Sequence, residues 1–317
     1  MTPAIADYTI RRELGPGGVG VSFLAAAPAR LGGAGDPVVV RLVRAPRDDL
    51  RTVRRVLEHI AAAAAAHSDR LAPILDAGHD GPLVWVARPW FAAGTLAQHE
   101  GTLNRAERLR AVIDAARAAH ALHEVGVAHR RITPRNVALA GDGSARLCDP
   151  GIGHVLVPGR TLTAAEAKTS LPWVDPAVLR GEAPSRSTDI WSLGVLLLHA
   201  LGARPAGPAA PQVQVVAALR NPPPLPVELA SQEARLVRSL TDPDPGRRPR
   251  TAAEVAELVQ ELLSAGRDAP APGPPAPGPP GRDAPEGSEG PTGAALGPPP
   301  LPTTSFEPLP GELPEER

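Results

Sequence analysis

The chain has 317 residues and a net charge of −1, with 43 % apolar and 21 % charged residues, enough for one large domain or two lobes around a sizeable core. The balanced charge gives no basis for nucleic acid or an anionic membrane as partner, and a single cysteine, Cys148, excludes an intramolecular disulfide framework. The longest apolar run, at 190–201, falls short of the roughly 20 residues that span a bilayer, and the N-terminus has no secretory pattern, so a cytoplasmic protein without a membrane span is expected.

Along the chain, short β-rich runs at 8–14, 21–25, 38–43 and 83–87 surround one helical segment at 49–66. From Gly94 helical periodicity takes over, at 104–125, 187–201, 211–219, 231–240 and 252–263. The pattern predicts an α+β domain over residues 1–266, with a small sheet-rich lobe (about 8–90) and a larger helical lobe (about 94–264). Residues 267–317 differ in kind. They hold 16 of the 40 prolines, and with few core-forming side chains they read as a disordered Pro/Gly-rich tail.

Four signals carry chemistry, the second of them in two parts. Gly15, Gly17 and Gly20 form G-x-G-x-x-G between two predicted strands, where the missing Cβ atoms allow a backbone to approach phosphates. On its own the spacing fits a plain hairpin equally well. His129-Arg130-Arg131-Ile132-Thr133-Pro134-Arg135-Asn136 comes next, followed by Asp149-Pro150-Gly151, then Asp189-Ile190-Trp191-Ser192-Leu193-Gly194, then Asp244-Pro245-Gly246-Arg247-Arg248-Pro249.

In this order and spacing the segments resemble the bacterial serine/threonine protein kinase family of the eukaryotic type, over roughly residues 8–264. The resemblance implies a two-lobed protein-kinase-like fold with ATP and magnesium in the cleft between the lobes. Gly15, Gly17 and Gly20 fall on the nucleotide loop, Arg41 on the lysine of the third strand, and Glu58 on the acidic residue that pairs with that lysine. With Lys168 the only lysine in the chain, Arg for Lys at position 41 carries little weight by itself. Backbone groups of Pro89 and Phe91 would receive adenine, and Asn136 and Asp149 match the magnesium ligands. Arg88 falls at the back wall of the pocket, where a buried guanidinium needs water, an acid or an anionic ligand.

The same comparison exposes departures. Arg131 stands where the family has the aspartate that takes or orients the substrate proton, and Thr133 stands where it has the phosphate-binding lysine. Pro150 replaces a phenylalanine, and Ala177 replaces the glutamate that pairs with the arginine matched by Arg248, which must then find another acid or leave the lower lobe looser. Arg131 also fits a plain structural role, as a cap or the partner of an acid. Cys148 is expected as a small buried hydrophobe.

Together the departures favour a pseudokinase, a signalling module that binds protein partners and retains the ATP cleft. The alternative is an active or weakly active serine/threonine kinase. Thr161, Thr163, Thr169 and Ser170 are either plain loop hydroxyls or substrates for an active kinase acting as partner. The tail reads as a solvated linker, or Thr303-Thr304-Ser305 in it would suit a phosphothreonine-binding module.

Overall fold

The computed structural model describes residues 5–16, 20–45, 49–151, 173–203, 223, 225–226 and 229–265. All of them lie in one compact unit, residues 1–269. Gly17, the helix expected at 211–219, the threonines and serine at 161–170 and the tail at 267–317 lie outside the described residues.

The first lobe is a five-stranded antiparallel sheet in the order β1-β2-β3-β5-β4. Its strands are β1 (Thr9–Pro16), β2 (Val21–Ala26), β3 (Pro37–Arg44), β4 (Asp76–Asp80) and β5 (Leu83–Pro89). Alternation along β3 sends Val43 toward one apolar cluster and Val38 and Val40 toward another. Helix α1 (Leu50–Ala64), capped by the Asp49 side chain, lays Val53, Val56 and Ile60 against Val43, Val84 and Val86. Gly20 closes the glycine loop with φ 105°, and a Cβ there would sit 2.3 Å from the Leu42 carbonyl oxygen, so only glycine fits this approach to β3.

The second lobe is built around α2 (Arg105–Glu124), which starts in a reciprocal Asn104–Glu107 cap and is buried along most of its length. Helices α4 (Arg186–Ala200) and α6 (Ala252–Ala265) pack on it, and α5 (Ser231–Leu240) packs on α4. A Cβ on Gly194 of α4 would come within 2.7 Å of the Leu240 Cβ, so the glycine permits this close helix contact. The short hairpin of β6 (Val137–Leu139) and β7 (Ala145–Leu147) carries the chain from the loop at His129 to Asp149.

The two-lobed α+β expectation is met. Strand β4 (DAGHD) and the three-residue strands β6 and β7 have no apolar alternation of useful length, and they exist through pairing with β5 and with each other.

Arg248 has found its acid. The guanidinium donates to both oxygens of Asp175, just ahead of α3 (Pro176–Leu179), and both side chains are fully buried. It also donates to the carbonyls of Asp242 and Ser187, at 2.8 and 2.9 Å, and stacks on Trp191. The loss at Ala177 is therefore compensated two residues earlier. Asp175→Asn keeps an oxygen to cap the Ala177 N–H but removes the charge opposite Arg248. It should cost about 3–5 kcal/mol in urea unfolding at neutral pH, and a cost under about 1 kcal/mol, the worth of an exposed pair, would contradict this assignment.

Candidate nucleotide and catalytic-loop site

The loop after α2 is held from below by one carboxylate. Asp189, fully buried on α4, accepts hydrogen bonds from the His129 N–H (2.6 Å), the Arg130 N–H (2.7 Å) and His123 Nε2 (2.8 Å). These bonds hold Arg130 at φ 66°, a strained left-handed conformation for a residue with a Cβ. His129 Nδ1 accepts the Arg131 N–H at 3.2 Å, so its proton is on Nε2, which donates to the Cys148 carbonyl at 2.9 Å. Burial keeps the His129 ring below its ordinary pKa, in keeping with this neutral form. The loop backbone thus joins the strand leading to Asp149, helped by the Cys148 N–H to Asn136 carbonyl bond (2.7 Å).

Arg131 follows on this rigid support. Its carbonyl accepts from the Asn136 side-chain amide at 2.8 Å. Thr133 is buried behind it. Among the described residues the Arg130 guanidinium makes no ion pair and its Nε is buried without a partner, and burial lowers its pKa.

Across the cleft, two arginines converge on one acid. Val39 of β3 pairs with Arg88 of β5, and Arg41 lies two residues beyond Val39, so both guanidiniums leave the same face of the sheet. Arg41 Nη1 donates to Asp149 Oδ2 at 3.2 Å, and Arg88 Nε donates to Asp149 Oδ1 at 3.0 Å. Arg88 Nη1 also donates to the Pro89 carbonyl at 3.1 Å. Burial alone would raise the Asp149 carboxyl, but the charges of Arg88 and Arg41 outweigh it and hold the pKa at about 2. Burial likewise opposes the charge on Arg88, and Asp149 more than offsets it.

The pairing expected between Arg41 and Glu58 is corrected by this geometry. Glu58 is exposed and bonds no described arginine. It lies nearly opposite the Val53, Val56 and Ile60 stripe by which α1 grips the sheet, so its carboxylate points to solvent and Arg41 turns to Asp149 instead. The neighbouring His59 is the half-buried residue, pushed down to about 4 by desolvation and by the charge of Arg130. Periodicity places His59 on the flank of the buried stripe, but the motif comparison draws attention to Glu58 alone. Gly15 and Gly20 stand at the ends of the glycine loop, and Phe91 packs on buried Ala72, Ala138 and Cys148. Burial raises the Cys148 thiol to about 11, which makes it a small apolar filler rather than a nucleophile.

A single-helix sheet lobe over a helical lobe, with a loop clamped by an acid from below, is the architecture of a protein kinase. Residues 8–262 match the protein kinase domain, and the chain belongs to that family. It is similar to a probable serine/threonine-protein kinase, PkwA, of Thermomonospora curvata (29 % identity, covering 84 % of this chain and 36 % of the relative). It is also similar to the serine/threonine-protein kinase PknJ of Mycobacterium tuberculosis (30 % identity, 82 % and 46 %). The chain thus spans between a third and a half of the length of these relatives. No described helix is long and apolar enough to cross a membrane.

The family generally uses ATP and magnesium. As they stand, the residues do not fit the metal. Both Asp149 oxygens accept from guanidinium N–H groups, and two positive charges flank them.

The depressed Asp149 pKa sets a pH window. Its contribution to stability is present above the ordinary carboxylate value near 3.8 and is lost as pH falls toward about 2. Asp149→Asn should be less stable than the parent at pH 7, with the gap narrowing below pH of about 4. A gap that stays constant from pH 7 to about 2 would contradict the clamp.

Proposed function

We propose that this protein is a pseudokinase, a kinase-fold signalling protein that acts by binding other proteins rather than by phosphoryl transfer. The observation that supports this reading is Arg131. The backbone that should present a proton acceptor is in place, fixed through Asp189 and Asn136, but the side chain it presents is a guanidinium. With a pKa above about 12, that group accepts no proton from a substrate hydroxyl. Thr133 supplies no positive charge for the transferred group, and Asp149 is bound to arginines.

The preserved frame supports a binding role, because a fold whose buried ion pair and loop clamp are complete can hold a surface in a fixed shape. In this reading the partners are proteins in the cytoplasm, either an active kinase or a module that reads phosphothreonine. The relatives' names favour the alternative of a serine/threonine kinase, and the retained Asn136 is the structural feature on its side.

A radiolabel transfer assay with magnesium ATP and a generic protein substrate separates the two. Loss of a general base costs about 10²–10⁴-fold, so incorporation by the parent should equal that of Asp149→Ala. Incorporation by the parent that Asp149→Ala abolishes would overturn the pseudokinase reading.

A further inference from the structure

Two acceptors in the cleft matter for ligand binding. One is the Asp149 carboxylate, the magnesium position. The other is the Pro89 carbonyl, the acceptor offered to an adenine amino group by the segment that links the lobes. A single side chain bonds both. Arg88 donates through Nε to Asp149 (3.0 Å) and through Nη1 to Pro89 (3.1 Å), with 16 % of its side-chain surface exposed. We infer that Arg88 is an internal occupant of the nucleotide cleft, holding these two acceptors in place of magnesium and adenine, so that the cleft is closed to magnesium nucleotide while Arg88 remains there. This deepens the pseudokinase reading and rests on its assignment of the cleft, but not on Arg131.

Three further observations support the inference. The β3–β5 register, with Val39 opposite Arg88 and Arg41 opposite Val86, leaves no slip that would point Arg88 elsewhere, since moving by one residue would turn the side chain to the other face. Charge counts the same way. Asp149 carries −1 between two guanidiniums, so its charge is already matched and an approaching dication gains little until one arginine departs. The apolar surface beside Asp149 is also covered from within, because Phe91 packs on Ala72, Ala138 and Cys148.

Arg88 is separable from the fold. Removing it leaves Asp149 with Arg41 as partner, so the buried carboxylate is not stranded. A methionine at 88 keeps an unbranched chain while deleting both donor contacts.

The test is calorimetric and thermal-shift titration of the full chain with ATP, with and without magnesium, on the parent, Arg88→Met and Arg88→Gln. A ligand that binds only the native state raises stability by RT ln(1 + [L]/Kd). The parent should give no shift at about 1 mM magnesium ATP, and Arg88→Met should bind at least about tenfold more tightly than the parent. Binding by the parent equal to that of Arg88→Met would overturn the inference, as would well-folded Arg88 variants that gain nothing. If both variants failed to fold, parent binding tighter than about 100 μM would still overturn it, and its absence would support it. The two readings fail separately. Parent binding without transfer removes the occupied cleft and leaves the pseudokinase, whereas transfer by Arg88→Met with Arg131 in place removes the pseudokinase and leaves the occupied cleft.

Discussion

A carboxylate taken out of water must be neutralised or surrounded by donors, and at Asp149 this chain does so with two arginines from neighbouring strands. Much else in the cleft follows from that choice. Arg41 is turned away from α1, so Glu58 has no reason to face inward. Arg88 is drawn along the linking segment to the Pro89 carbonyl, and the acid at the metal position is already partnered. The clamp also ties the sheet lobe to the helical lobe, since both arginines lie in the sheet and Asp149 follows β7.

The buried charges that carry the shape of the molecule are partnered. Asp189 holds three donors, and Arg248 donates to both oxygens of Asp175. Both are places where an unpaired buried charge would cost several kcal/mol, roughly 3–5, a large fraction of the stability of a typical domain. No comparable penalty attaches to Arg131, which is only partly buried, and replacing a base affects rate rather than folding.

The lobes, the main helices and the catalytic loop were legible in the sequence because they rest on strong periodicity and on four ordered motifs. Arg88 was legible as a problem, a buried charge in need of an acid, but its partner was not, because Asp149 lies 61 residues away and already had a role by resemblance. Asp175 was hidden for a similar reason. Motif matching looked for a glutamate at 177, whereas a guanidinium requires only a carboxylate within reach. Glu58 was misplaced because alignment fixes a position along α1 but not which way its side chain faces. The stripe of Val53, Val56 and Ile60 contained that information.

At neutral pH Asp149 is ionised and held by arginines rather than available to metal. Carbon-detected NMR of the Asp149 carboxyl, titrated with pH in the presence and absence of magnesium, measures this directly. The account predicts a midpoint at about 2 that magnesium does not move. A midpoint at or above the ordinary carboxylate value near 3.8, or a carboxyl resonance that shifts when magnesium is added at neutral pH, would contradict it.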